Sequence, residues 1–153
     1  MTRFVTEQTI ARSAEAVWTY AADIRRHPDW MTITDPRITK GNGTQIGDRG
    51  RERMRFGPFA WDVEFEVAEA TPGRRIVWKS VGGAPFDLAV SIDLEPMGPT
   101  STKASYGADI RLHSLWRLIG PIVAMEGKAG PERELKRLKA QVEETSGMTP
   151  AVP

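Results

Sequence analysis

The sequence contains no cysteine among its 153 residues. This absence excludes disulfide bonds, thiolate metal sites and cysteine nucleophiles. Only two histidines are present, His27 and His113, and no histidine pair has the spacing of a metal-binding motif such as H-x-x-x-H. We therefore predict neither a metal site nor a cofactor. The lack of cysteine agrees with a reducing compartment, and we expect a cytoplasmic protein.

Long hydrophobic runs are also missing. The longest nearly apolar segment, Leu118 to Met125, is far too short to cross a bilayer, and the first ten residues lack the apolar region of a signal peptide. The 21 basic residues nearly balance the 20 acidic ones, so the net charge is only +1. Such a charge favours neither nucleic acid nor an anionic membrane as a partner. We predict no nucleic-acid partner, no stable membrane insertion, and a monomer or a homodimer.

The length and composition are those of one globular domain. Hydrophobic residues make up 40% of the chain and charged residues 27%, which is the balance of a protein with a packed core. A chain of this length supports one core and leaves little room for a second. We predict a single domain over residues 1–145, followed by a flexible C-terminal tail over residues 146–153.

The N-terminal segment predicts a strand followed by a short helix. Residues 2–11 are rich in β-branched side chains, and Ser13 is a suitable N-cap for a helix. Helical spacing then relates four apolar residues: Val17, Tyr20, Ala21 and Ile24. Pro28 should end this helix, and residues 27–30 should form a corner that leads into a strand over residues 33–39.

The strongest pattern is a hairpin around Gly57-Pro58. Polar and apolar residues alternate on both sides of this turn, as in strands with one buried face. If the turn is centred there, one face carries three charge pairs: Arg49–Glu66, Arg51–Glu64 and Arg53–Asp62. The other face then carries Met54 opposite Trp61 and Phe56 opposite Phe59. Because one register satisfies both faces, the arginine stripe is interpreted as a solvated, neutralised sheet surface rather than a phosphate-binding patch.

The same two faces continue through the rest of the sheet. A turn at residues 71–74 places Val67 opposite Trp78. Two further alternating strands, with a turn over residues 95–99 between them, keep an apolar face through Phe86, Leu88, Val90, Ile92 and Leu94, and then through Thr102, Ala104, Tyr106, Ala108 and Ile110. We predict about seven antiparallel strands with one aromatic-rich apolar face.

The last third of the chain changes to helical periodicity. Apolar residues follow helical spacing in two groups: Leu115, Leu118, Ile119, Ile122 and Val123, and later Leu135, Leu138 and Val142. Ser114 is the expected N-cap. Gly120-Pro121 and Gly130-Pro131 should kink or split the helix, because proline lacks a backbone donor and clashes with the preceding turn.

This order of elements resembles the START/Bet v 1-like (SRPBCC) superfamily, and within it the bacterial polyketide cyclase/dehydrase and lipid-transport group. The segments that carry the resemblance are residues 11–18, 27–30, 47–49 and 72–78, and the terminal helix after Trp116. It implies an α+β helix-grip fold, in which a curved seven-stranded antiparallel sheet wraps a long C-terminal helix, with short helices after the first strand. Members of the superfamily bind lipids, polyketides, quinones, sterols or plant hormones, and some cyclise or dehydrate aromatic polyketides.

Two inward polar residues are the candidate catalytic groups. Alternation places Glu52 on the apolar face, where burial would favour its protonated form and suit it to acid–base chemistry. Alternatively, a bulge or a wide cavity mouth lets Glu52 reach water. Tyr106 is the second candidate, as a hydrogen-bond donor to a ligand carbonyl or an enolate, or else as a core aromatic bonded to the backbone.

The candidate ligand-binding residues are the large side chains expected on the inner face of the sheet and on the helix that covers it. They are Trp30, Met54, Trp61, Phe65, Trp78, Phe86, Leu88, Val90, Tyr106, Leu118 and Ile122. Such an aromatic wall suits a flat or apolar ligand, although it suits a packed core equally well. The resemblance favours a cavity lining for at least one tryptophan.

Three functions remain open at this point. The first is binding of a small hydrophobic or aromatic ligand, of lipid, polyketide or quinone type, in a cavity between the sheet and the C-terminal helix. The second is a cyclase/dehydratase-type enzyme that uses Glu52 as acid/base and Tyr106 as hydrogen-bond donor. The third is a co-chaperone-like protein-interaction module, which requires an exposed apolar patch.

Overall fold

The computed structural model describes residues 2–56 and 58–148, which form an α+β fold. Seven strands and three α-helices follow one another in this order: β1 (Thr2–Ile10), α1 (Ala14–Ala21), α2 (His27–Trp30), β2 (Ile33–Lys40), β3 (Arg49–Phe56), β4 (Phe59–Thr71), β5 (Arg75–Gly82), β6 (Phe86–Gly98), β7 (Ser101–Leu112) and α3 (Gly120–Met148). Short 3₁₀ segments precede α2 (Ile24–Arg26) and α3 (Ser114–Ile119).

All seven strands belong to one antiparallel sheet with the order β1-β7-β6-β5-β4-β3-β2. Strands β2 to β7 form a meander, and β1 pairs with β7. The predicted register of β3 and β4 is confirmed at every pair. The charged face carries the expected ion pairs, with nitrogen–oxygen distances of 2.8 Å for Arg49–Glu66, 2.7 Å for Arg51–Glu64 and 3.4 Å for Arg53–Asp62. The pairing of Val67 with Trp78 is also confirmed.

The N-terminal helix begins as predicted, but the segment after it is more helical than expected. The hydroxyl of Ser13 accepts a hydrogen bond from the Ala16 N–H and caps α1. The predicted corner at residues 27–30 is wrong in detail, because it is a single turn of helix, α2. Pro28 lies in the first turn of α2, where a backbone N–H has no partner within the helix, so proline costs no helical hydrogen bond there.

The hydrophobic core lies between the inner face of the sheet and the three helices. Leu135, Leu138 and Val142 of α3 are fully or almost fully buried, as are Val17 of α1 and Val67 of β4. These residues belong to one continuous cluster of buried side chains. The predicted apolar face of the second half of the terminal helix is therefore confirmed.

The first half of the terminal segment differs from the prediction. Residues 114–119 form a 3₁₀ helix that begins at Ser114 with a φ of 47°, so Ser114 is not the N-cap of an α-helix. Leu115, Leu118 and Ile122 are exposed, at 79%, 81% and 58%, so the predicted inward direction is wrong for these three residues, whereas Ile119 and Val123 of the same group are partly buried. Because a 3₁₀ helix has three residues per turn, Leu115 and Leu118 share one outward side.

The predicted split at the second Gly-Pro pair does not occur. The helix α3 is continuous from Gly120 through Pro131 to Met148. It therefore includes the first three residues of the predicted tail, and residues 149–153 lie outside the described part. The split at the first pair is confirmed, since the 3₁₀ segment gives way to α3 at Gly120.

The loop between β2 and β3 is held by one carboxylate. Asp48 accepts hydrogen bonds from the backbone N–H groups of Asn42, Gly43 and Gln45, at distances of 2.9–3.1 Å. These bonds close the segment Gly41-Asn42-Gly43 into a tight turn. No helix in the described ranges is long and apolar enough to cross a membrane.

A pair of leucines tests the division between buried and exposed faces. We expect Leu138→Ala to lower the free energy of unfolding by about 2–5 kcal/mol, because it leaves a cavity in the core. The control Leu118→Ala removes the same atoms from an exposed position and should change it by less than about 0.5 kcal/mol. Urea unfolding measures both values. Equal losses in the two variants would contradict this placement of the helix.

Candidate functional site

A cavity of about 210 Å³ lies between the inner face of the sheet and α3. Six of the predicted ligand-binding residues line it: Met54, Phe65, Trp78, Leu88, Val90 and Tyr106. The side chains of Thr32 and Arg55 also line the cavity and are exposed, so the cavity meets the surface between the start of β2 and the end of β3. The wall is mainly apolar. Its polar residues include two interacting groups, together with Arg55 and Ser80.

Five predicted ligand-binding residues do not line the cavity. Trp30 is fully buried in the core, where its ring lies edge-on to His27 and Tyr106. Trp61 and Phe86 pack edge-on at a centroid distance of 5.4 Å. They belong to a separate aromatic cluster at the end of the sheet that also contains Phe59 and Trp116. The other two are exposed: Leu118 lies in the 3₁₀ segment before α3, and Ile122 lies in the first turn of α3.

The first polar group joins Glu52 of β3 to His27 of α2. The two side chains are buried, and 2.6 Å separates His27 Nδ1 from Glu52 Oε1. The other ring nitrogen, Nε2, lies 3.2 Å from the Ala21 carbonyl oxygen. A carbonyl can only accept, so Nε2 carries a hydrogen. One further proton is shared between Nδ1 and Glu52, and the pair is electrically neutral whichever atom holds it.

Glu52 points inward, as the alternation predicts. The residue is only 9% exposed, it lines the cavity, and its carboxyl group contacts a buried side chain. The sequence interpretation of His27 as a corner residue is incomplete. Its position at the start of α2 directs the ring against Glu52, and Trp78 packs edge-on against the ring at 5.0 Å.

The second polar group joins Tyr106 of β7 to Glu134 of α3. The backbone N–H of Thr32 donates to Glu134 Oε2 at 3.1 Å, and the Tyr106 hydroxyl lies near the same carboxylate group on the cavity wall. Burial raises the pKa of Glu134 from 4.5 to about 7, against the opposing effects of Thr32, Arg137 and Arg133. Burial, followed by the charges of Glu134 and Glu52, raises the pKa of Tyr106 well above its usual value.

Glu134 and His27 are the two members of the polar groups that the predicted site residues did not include. A signal for Glu134 was present, since it lies three residues after Pro131 and four before Leu138, on the apolar side of the helix. A carboxylate at such a position is costly unless it has a partner. No comparable signal marks His27, because its partner Glu52 is 25 residues away in the sequence.

Two buried donors in this region have no hydrogen-bond partner among the described residues. They are the indole N–H groups of Trp30 and Trp78, and Trp78 also lines the cavity. Across residues 2–56 and 58–148, no group of three or more histidine, aspartate or glutamate side chains has a metal-binding arrangement.

Comparison with known proteins agrees with this architecture. The family model described as polyketide cyclase / dehydrase and lipid transport matches residues 1–143. A START superfamily protein from Mycobacterium smegmatis has a TM-score of 0.79 at 20% identity, over 94% of this chain and 98% of that chain. The Zhui aromatase/cyclase from Streptomyces sp. R1128 has a TM-score of 0.73 at 11% identity, over 95% of each chain. No curated protein matches. At these identities the solved structures show the helix-grip fold alone.

The raised pKa of Glu134 predicts a pH-dependent stability. The folded state holds the proton more tightly than the unfolded chain, so this contribution is complete below pH 4.5 and is lost as the pH rises to about 7. The loss is on the order of 3 kcal/mol. Urea unfolding across this range should show that Glu134→Gln removes the slope, whereas Glu132→Gln, on the exposed side of the same helix, keeps it. Parallel curves for wild type and Glu134→Gln would contradict the assignment.

Proposed function

The chain belongs to the polyketide cyclase / dehydrase and lipid transport family, and we propose that it binds a small hydrophobic or aromatic ligand in the cavity between the sheet and α3. The observation that carries this proposal is the cavity itself. Its wall is mainly apolar and includes the faces of Phe65 and Trp78, while its polar side chains are few and converge. Ligand pockets in proteins commonly combine these two properties.

The size of the cavity limits the ligand. An apolar cavity of about 150 Å³ is large enough to bind benzene. The cavity of this protein, at about 210 Å³, has room for one or two fused rings or for an acyl chain of similar bulk. Pockets for drug-sized molecules begin near 300 Å³, so a large sterol is a poorer fit than a compact aromatic, polyketide or quinone-type ligand.

Filling the cavity tests this function without removing any core side chain. Ala108 of β7 lines the cavity, so Ala108→Leu places three additional carbons in the space that the ligand would occupy. We expect this variant to be as stable as the wild type and to lose at least about tenfold in affinity for naphthalene, because the added side chain and the ligand compete for one volume. Isothermal titration calorimetry measures the affinity.

The matched control is Ala60→Leu, an exposed position on β4 that does not line the cavity. It should bind naphthalene as the wild type does. Undiminished binding by a folded Ala108→Leu protein would place the ligand elsewhere, and no binding by the wild type would contradict the proposed function.

A second candidate function is an acid–base enzyme, and the contact between Glu52 and His27 favours it. As a base, Glu52 would take a proton from the carbon next to a substrate carbonyl. The electron pair of that C–H bond would move to the carbonyl oxygen, and the Tyr106 hydroxyl would stabilise the resulting enolate. Glu52 would then return this proton to the β-hydroxyl, which leaves as water and completes the dehydration, while His27 holds the Glu52 carboxyl group in place. The fold is similar to that of an aromatase/cyclase, which agrees with this chemistry but does not identify the residues that would perform it.

Glu52→Gln separates the enzyme from the carrier. The amide can still donate to His27 Nδ1, but it cannot accept a proton from carbon. With a β-hydroxy ketone that carries one phenyl ring, we expect wild-type protein to form the conjugated enone, and Glu52→Gln to lose about 10²–10⁴-fold in rate. Absorbance of the enone follows the reaction. Glu64→Gln, on the outer face of β4, is the control, and a Glu52→Gln rate equal to it would rule out this role.

A further inference from the structure

Tyr106 and Glu134 meet on the cavity wall from opposite sides of the fold. Tyr106 comes from β7, the strand next to the edge strand β1, and Glu134 comes from α3. The Thr32 N–H holds one oxygen of the Glu134 carboxyl group, which fixes the direction of the group. The Tyr106 side chain is only 3% exposed and its ring packs edge-on against Trp30, so its position is equally restricted.

We propose that Tyr106 and Glu134 form the subsite that holds one oxygen atom of the ligand, and that the proton on Glu134 decides whether Tyr106 donates or accepts a hydrogen bond there. This inference rests on the proposed function, since it assigns a polar contact within the same cavity. It makes Glu134 a specificity-determining residue that acts through Tyr106.

The two states follow from the hydrogen-bonding capacity of the groups. When Glu134 is ionised it can only accept, so the single hydrogen of the Tyr106 hydroxyl is committed to the carboxylate. Tyr106 then offers the ligand only its lone pairs, which suit a ligand hydroxyl. When Glu134 is protonated, it can donate its own hydrogen to the Tyr106 oxygen. The Tyr106 hydrogen is then free to bond a ligand carbonyl.

Other charged groups surround this pair and must be separated from it in any test. Arg133 and Arg137 lie on the same helix as Glu134 and favour its ionised form. The charge of Glu52 acts on Tyr106 from β3, and His27 of α2 forms a hydrogen-bonded pair with Glu52. Arg55, also on β3, lines the cavity. A change confined to Glu134 is therefore needed to assign the effect.

The chemical class of ligand follows from these states. Glu134 is half protonated near pH 7, so both states are populated at neutral pH. The subsite thus accepts aromatic ketones and quinone-type carbonyls in its protonated state, and phenols or hydroquinone-type hydroxyls in its ionised state. Acidification favours the carbonyl form of a ligand over its hydroxyl form.

Three ligands of one shape test the inference: naphthalene, a naphthol and an acetylnaphthalene. Calorimetry should measure their dissociation constants from about pH 5.5 to about pH 8.5, on either side of the value for Glu134. We expect affinity for acetylnaphthalene to weaken by about tenfold over this range, which is the contribution of one hydrogen bond. Naphthalene should show no change, and the naphthol should show a smaller change than the ketone.

Variants assign the effect to the two residues. Glu134→Gln can donate to Tyr106 at every pH, so it should bind acetylnaphthalene tightly throughout. Tyr106→Phe should remove the advantage of acetylnaphthalene over naphthalene at low pH, and Glu132→Gln should behave as the wild type.

Two outcomes would overturn the inference and leave the cavity function intact. They are pH-independent binding of acetylnaphthalene by the wild type, and an unchanged pH dependence in Glu134→Gln. Failure of naphthalene itself to bind would instead overturn the proposed function, and this inference with it.

Discussion

The structure depends on covering an inner sheet face that is apolar along its length. Seven antiparallel strands place their apolar side chains on one side, and a sheet of this kind is stable only when another layer covers that side. The C-terminal half of α3 does so with Leu135, Leu138 and Val142, which reach the sheet and exclude water. One turn earlier the helix presents Gly130, which has no side chain, and the small ring of Pro131, and both residues line the cavity. The cavity is the space that remains.

The polar groups of the cavity follow from the cost of burying a carboxyl group. A charged or polar group removed from water needs a partner inside the protein. Glu52 has His27, and Glu134 has Thr32 and Tyr106. These partners come from α2, the start of β2 and β7, so satisfying two carboxyl groups also joins the helices to the sheet. The same arrangement leaves protons and hydrogen-bonding atoms on the wall of an apolar space, where a ligand can use them.

Strand pairing was predictable because its determinants are close in sequence. The hairpin of β3 and β4 is determined by alternation and by complementary charges over fewer than twenty residues, and each predicted pair is present. The inward direction of Trp61 and Phe86 followed from the same alternation. Alternation does not predict, however, which part of the sheet the helix covers. Both residues lie beyond the cavity, where Phe59 and Trp116 cover them instead.

By itself, the sequence determined the strands, the register of β3 with β4, the direction of Glu52 and Tyr106, and the buried side of the second half of α3, because period-2 and period-3.6 patterns are local properties. Only the tertiary structure decided which inward side chains meet empty space, that Leu118 and Ile122 point outward, and that His27 and Glu134 complete the two polar groups. These features depend on where α2 and α3 lie against the curved sheet. That placement is a balance of contacts between residues far apart in the chain, and no local pattern records it.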